Sequence, residues 1–389
     1  MEADNSETDL LRREILATVE KFIKDELVPR AAEIDRDDVY PLDLHKIASE
    51  LGLFAIAIPK AYGGLGLDFT TRLAIIERVA RVSASFAVIL STWPDAALPI
   101  VELGSDALRA ELLPKIASGE YYPAFALSEP GAGSDAAAMT TRAVRVDGGY
   151  RLSGTKTWCT HGGLADVVVV FATTDPSIGS RGITAFLVRK GTAGFRVIRD
   201  ENLMGLRGSP QSTLSFDECF VPVAERLGEE GEGFRKAMES LDEARLNVSA
   251  KALGCAYACI SLAVDYAKQR EAFGQPIIRH QGLQFLLSEL CTEYASARAL
   301  WREAIQALEA GRSRRASVIG SMAKNACTAI GMRAPVEAMQ VFGAAGLSMD
   351  LPLQRFLRDA KAFQIYDGTT QIHNMIIGRY LDREGVPFE

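Results

Sequence analysis

Histidine and cysteine are scarce in this chain and never fall at ligand spacing. The histidines (45, 161, 280 and 373) stand far apart, and the cysteines (159, 219, 255, 259, 291 and 327) include no CxxC pair. Neither a metal centre nor a structural disulfide framework is expected. Cys255 and Cys259 lie one helical turn apart in an apolar run, which suits buried free thiols. Positive charge is also in deficit: the formal net charge is −7, and a nucleic-acid face normally needs a basic stripe. No apolar run approaches the roughly 20 residues of a membrane-spanning helix. The start, Met1-Glu2-Ala3-Asp4-Asn5-Ser6-Glu7, lacks the basic opening of a signal peptide and the Arg-rich character of a transit peptide. A soluble cytoplasmic protein, bound to neither nucleic acid nor membrane, is the expectation. Short-period repeats and low-complexity segments are missing too.

What remains is a long chain with much to bury. Its 389 residues are 48% hydrophobic, enough for two or three domains with a large core. Residues 9–30 place Leu11, Ile15, Val19, Phe22, Ile23 and Leu27 on one helical face, and similar patterns follow around 43–52, 70–83, 85–102 and 105–117. Tyr62-Gly63-Gly64-Leu65-Gly66 breaks the pattern as a loop; its glycine spacing is wrong for a dinucleotide fingerprint. From about 121 the period shortens, and 150–154, 165–172, 182–189, 194–199 and 212–216 read as strands. From about 231 the pattern is helical again, in long runs. The expected fold is multi-domain α+β: an N-terminal helical domain (1–120), a central β-barrel or sandwich (121–230) and a C-terminal helical bundle (231–389).

One carboxylate near the C-terminus stands out. Asp367 lies between the apolar Phe363-Gln364-Ile365-Tyr366 run and Gly368, and Thr369 and Thr370 then open a helical pattern. Partial loss of water raises a carboxyl pKa and makes a proton acceptor useful near neutral pH. Gly368 lets a substrate approach the backbone, and either threonine can cap the following helix. An ordinary helix-capping Asp in a turn is the plainer reading of this segment alone. Three other blocks change the balance. Leu127-Ser128-Glu129-Pro130-Gly131-Ala132-Gly133-Ser134-Asp135 is a turn whose N–H groups can meet a flat heterocycle or a phosphate. Trp158 and Thr160 offer an aromatic face and a hydroxyl on a strand edge; His161 beside them reads as a structural hydrogen bonder. Arg270, Phe273 and Gln281 interrupt two helical runs, where Arg can pair with a pyrophosphate and Phe can pack an adenine.

In this order and spacing, over roughly 10–385, these blocks resemble the acyl-CoA dehydrogenase family. The resemblance implies a C-terminal four-helix bundle, bound FAD, an acyl-CoA thioester substrate, a homotetramer, and electron-transferring flavoprotein as the electron acceptor. Carried over by position, Phe125, Leu127, Ser128, Trp158, Thr160, Thr369 and Gln371 would contact the flavin. Arg270, Phe273 and Gln281, with Gln340, Phe342, Gly343 and Gly346, would hold the ADP half of FAD bound to a neighbouring subunit. Ser134, Asp242, Arg245 and Gly368 would lie against the CoA thioester. Asp367 would be the base that removes the α-proton, in a place where the family usually has Glu. Some members place their base one residue before the position of Arg245; here that is Ala244, and Glu243 reads as an exposed helix charge.

Ser91 to Pro99 falls where the family lines its acyl pocket. Trp93 is expected to shorten that pocket. Asp95 reads as a helix cap or a solvent-facing charge, or else as a polar acyl recogniser or a second acid/base. The function implied is α,β-dehydrogenation of a short, branched or cyclic acyl-CoA to the enoyl-CoA. The rivals are a nitroalkane oxidase-like flavoenzyme, which also uses Asp at this position, and a non-catalytic DNA-binding member of the fold.

Overall fold

The computed structural model describes residues 2–388. Helix α1 (Glu2–Phe22) continues through a π-turn (Ile23–Leu27) into α2 (Val28–Asp37). The wider turn lets Phe22, Ile23 and Leu27 all stay buried. Then come α3 (Leu42–Glu50), α4 (Phe69–Ala80), α5 (Ala84–Leu103) and α6 (Asp106–Ala117). Side-chain oxygens cap three of them: Asp68 accepts from Thr71 N, Ser83 from Phe86 N and Ser105 from Leu108 N.

The strands are β1 (Pro123–Ala126), β2 (Arg142–Val146), β3 (Gly149–Thr160), β4 (Val167–Thr173), β5 (Ile183–Arg189), β6 (Phe195–Asp200), β7 (Gln211–Pro222) and β8 (Arg226–Leu227). They form one sheet in the order β6-β7-β3-β2-β4-β5-β8, with β1 parallel to β4. Strand β4 shows how it is buried on both faces. Val167, Val169 and Phe171 pack into the helical core, while Val168, Val170 and Ala172 join Tyr150, Leu152, Phe186, Leu214 and Phe216 inside the sheet's own core.

After the sheet come α7 (Gly233–Gln269), α8 (Gln281–Glu309), α9 (Arg314–Phe342), α10 (Leu353–Phe363) and α11 (Thr370–Glu384), with a short hairpin, β9 (Glu271–Ala272) and β10 (Gln275–Pro276), between α7 and α8. Helices α7 and α9 approach closely; a Cβ at Gly331 would stand 2.9 Å from that of Ala252. By length and composition, α5 and α7 could each cross a membrane, against the expectation that no such run exists, yet 78% of each apolar window is buried in the fold. They are core helices. A polar pin joins the parts: Arg358 on α10 donates to Asp35 on α2, and Leu206 N donates to buried Asp359 at 2.6 Å.

The expected 127–135 turn is fixed to β3 by a buried ion pair. Lys156 Nζ donates to Glu129 (2.9 Å) and to the Leu127 carbonyl (2.8 Å). Glu129 also accepts from Thr140 N (2.7 Å) and Thr141 N (2.9 Å). Burial pushes its carboxyl up, but Lys156 and these N–H groups outweigh burial and hold it at about 2. A depressed carboxylate adds stability that is present above its unfolded pKa and is lost as pH falls through the folded one. Glu129→Gln should therefore lower the free energy of unfolding at neutral pH, read from urea denaturation, by on the order of 1–3 kcal/mol once solvent screening is allowed for. Its gap from the parent protein should close as pH falls from about 4.5 towards 2.

Candidate active site

The segment between α10 and α11 carries Asp367 in a left-handed conformation (φ 52). Such a φ is uncommon for a residue with a Cβ and persists only where its surroundings hold it. Lys324, buried on α9, does so: its ammonium donates to the carbonyls of both Tyr366 and Gly368. Gly368 (φ 94) has no room for a side chain, since a Cβ would stand 2.9 Å from His373 Nε2. Thr369 Oγ1 accepts from Ile372 N and caps α11. Gln371 lies exposed on its first turn.

Burial pushes the Asp367 carboxyl above its ordinary value, while Lys324, Lys251 and Arg245 pull it back. The rise matches the expectation, but the surroundings are three cations and not only an apolar run. Burial also lowers Lys324, to about 7, against the pull of Asp367. Arg245 is enclosed: it donates to Ser317 and Ser321 and pairs with Asp242 at 3.0 Å. Asp242 also accepts from Ser317 Oγ. The expected substrate contact of Arg245 thus gives way to a charge set beneath Asp367.

Asp95 is neither cap nor solvent-facing. It sits mid-α5 between Pro94 and Pro99, accepts from Asn247 Nδ2 at 3.0 Å, and borders a cavity of about 70 Å³ with Arg72 and Glu243. Burial raises its carboxyl, opposed by Lys251. Burial lowers Lys251 in turn, which donates to Ser91 Oγ at 2.7 Å. Glu243 is no exposed charge either; it lines the same cavity and pairs with Arg312 at 2.8 Å. Trp93 is 0% exposed and does not border this cavity. It stacks among His45, Phe54 and Tyr122, and its Nε1 donates to the Ile116 carbonyl. Two residues from both Ser91 and Asp95, it lies about 200° around α5 from them and so turns to the opposite face.

The expected flavin contacts fall into two groups. Ser128 O accepts from Thr157 N, which sets the turn beside Trp158. A register shift between Lys156 and Cys159 pushes Trp158 out at φ 58, with 57% of its surface free. Thr160 donates to Gln211, Phe125 packs on Phe171, buried Leu127 offers its carbonyl to Lys156, and Ser134 is exposed on the turn. His161 is buried against Ser209, and burial pushes it down to about 3, so it is structural. At the far end of the bundle, Tyr266 stacks on Phe342 at 4.1 Å and brings the Arg270 loop near Gln340 and Gly343. Phe273 there is 97% exposed, and Gln281 opens α8. Gly343 (φ 60) leaves open space where a Cβ would stand. A free indole face at one end suits stacking on a flat heterocycle, and an open glycine with a bare aromatic at the other suits the close approach of a phosphate and a second ring.

Lys251, Lys324 and Asn247 escaped the sequence reading. A signal was present: Lys251 stands in Val248-Ser249-Ala250-Lys251-Ala252-Leu253-Gly254 with no acid one turn away on either side. Such a lysine must find its partner on another element.

Three family models match: the acyl-CoA dehydrogenase N-terminal (residues 11–120), middle (124–219) and C-terminal (231–381) domains. An acyl-CoA dehydrogenase of Bacillus subtilis is 40% identical, over 93% of this chain and 96% of its own. A cyclohex-1-ene-1-carbonyl-CoA dehydrogenase of Geobacter metallireducens is 40% identical, over 92% and 94%. The structure of butyryl-CoA dehydrogenase from Megasphaera elsdenii superposes with a TM-score of 0.91 at 36% identity, over 96% and 98%. The chain belongs to the acyl-CoA dehydrogenases, FAD-dependent flavoprotein oxidoreductases.

Proposed function

We propose that Asp367 is the base that takes the α-proton of a short, branched or cyclic acyl-CoA. The observation that carries this is the Asp367 loop itself. Held left-handed by Lys324, it presents a carboxylate whose proton affinity burial has raised. Among the described residues, the N–H groups of Asp367 and Gly368 meet no backbone acceptor. They are free to hold a thioester carbonyl, where charge grows as the α-proton leaves. FAD, when bound, supplies the acceptor for the β-hydride. Trp158, Thr160 and the Leu127-Ser128 turn would hold its ring, with Thr369 and Gln371 near the base. Arg270, Phe273, Gln281, Gln340 and Gly343 would hold the ADP half in a neighbouring subunit. Ser134 and Asp242 would lie along CoA. A homotetramer, a cytoplasmic location and electron-transferring flavoprotein as acceptor belong to the same reading.

Aspartate is one C–C bond shorter than glutamate, about 1.5 Å, and a misplacement of about 1 Å can cost roughly a hundredfold in rate. The α-carbon must therefore sit close to the loop, which favours a compact acyl group. The cyclohex-1-ene-1-carbonyl-CoA specificity named for one relative points the same way. Since Trp93 is held in the core, α5 and α7 themselves would limit the pocket.

Asp367→Asn should retain FAD, read from its visible absorbance. Anaerobic flavin reduction by acyl-CoA should fall by at least about a thousandfold. In the parent enzyme kcat/KM should rise with pH through the raised pKa of Asp367, because only the ionised carboxylate accepts a proton. Best turnover on a long straight chain would overturn the substrate class. Reduction by nitroethane but by no acyl-CoA would favour the nitroalkane oxidase-like rival.

A further inference from the structure

Lys324 carries a charge that holding the loop does not require. It is 1% exposed. Among the described residues the lysines in ion pairs are Lys156, Lys190 and Lys236, and Lys324 is not one of them. A buried, unpaired ammonium costs more free energy than a left-handed aspartate stores. A neutral amide could tie down the same carbonyls without that cost. Lys251 and Arg245 also act on the Asp367 carboxyl, so that carboxyl does not depend on Lys324 alone.

The two carbonyls that Lys324 binds belong to the Tyr366–Asp367 and Gly368–Thr369 peptides. Among the described residues no peptide is cis, so each N–H points opposite to its own carbonyl. The N–H groups of Asp367 and Thr369 are therefore both directed away from Lys324. Neither meets a backbone acceptor. His373 fills the space beside Gly368 from α11, and burial pushes it down to about 3, so it adds no charge there.

Resting on the dehydrogenase reading above, we propose that Lys324 is a positioning residue that acts on the substrate oxygen through the Tyr366–Asp367 peptide. Its ammonium draws electron density from the Tyr366 carbonyl and so strengthens the Asp367 N–H as a donor. That N–H is one of those proposed to hold the thioester carbonyl, and the help grows as negative charge collects there while the α-proton leaves. No proton and no bond passes between Lys324 and the substrate. The Gly368–Thr369 peptide is polarised in the same way, so the two outward N–H groups are strengthened together. The effect depends on charge. Burial pushes the Lys324 ammonium down to about 7; Asp367 opposes the fall from the loop, while Arg245 and Lys251 on α7 add to it. A neutral amine still donates but polarises less, so the effect should fade as pH rises through that value.

The test reads the thioester carbonyl itself. Crotonyl-CoA, a compact enoyl thioester isotopically labelled at its carbonyl carbon, is bound to the purified holoenzyme. Its C=O stretch is taken from the infrared difference against the unlabelled compound. In the parent enzyme the band should lie below that of free crotonyl-CoA and move back towards it as pH rises through about 7. In Lys324→Gln, whose amide can still tie the loop, the band should stay near the free value at every pH. Anaerobic flavin reduction at saturating butyryl-CoA should fall in that variant by about tenfold to a hundredfold, short of the loss of a whole oxyanion donor. Should Lys324→Gln not fold or not retain FAD, the pH dependence of the parent band decides alone. A band lowered equally in parent and variant, or one that ignores pH in the parent, would mean that the lysine only holds the loop, and would overturn the proposal. A parent band at the free value at every pH would instead sink the proposed hold of the Asp367 N–H on the thioester. Flavin reduced by no acyl-CoA would sink the dehydrogenase reading; both results differ from a lowered band that is indifferent to Lys324.

Discussion

The ammonium of Lys324, set between the carbonyls of Tyr366 and Gly368, is the constraint on which the rest of the site depends. It fixes a loop that would otherwise relax, because a left-handed aspartate costs of order 1–3 kcal/mol unless something holds it. The same charge partly offsets what burial does to the carboxyl. A carboxylate buried without cations would stay protonated at neutral pH and could not act as a base. One paired tightly with a cation would be too weak a base. Lys324 avoids that second outcome because it spends its hydrogen bonds on the backbone and reaches Asp367 only through space.

Most of these charges come from α7 and α9, two helices that pack closely against each other. Helix α7 contributes Asp242, Arg245, Asn247 and Lys251, α9 contributes Lys324, and α5 contributes Ser91 and Asp95. Small residues along α7 and α9 allow close approach, so their long side chains meet in the space left between helices. The sheet works differently. Its 127–135 turn is held by one buried pair, Lys156 with Glu129, and the bulge that throws Trp158 outward lies next to that lysine.

The architecture was largely legible from periodicity. The strands expected at 150–154, 165–172, 182–189, 194–199 and 212–216 are β3, β4, β5, β6 and β7, of which β3 and β7 are longer than expected. The short strands β1, β2 and β8 were missed, because two to five residues carry too little alternation to be told from loop. Asp367 was legible because its motif is local. The charges around it were not, since Lys251, Lys324 and Asp95 come from three helices that only packing brings together. Trp93 misled for a related reason: its position on α5 was read, but the face it turns towards depends on where His45, Phe54 and Tyr122 lie.

The choice of aspartate over glutamate follows from this crowding. A longer side chain on the same left-handed loop would carry its carboxylate about 1.5 Å further, with Lys324, Lys251 and Arg245 already acting on that position. There it could close a direct ion pair, which would lower its pKa and turn it away from a substrate carbon. The shorter side chain stays off the cations yet within their field. With Asp367 as the proposed base, the price of that reach is a demand on the substrate, whose α-carbon must come to the loop.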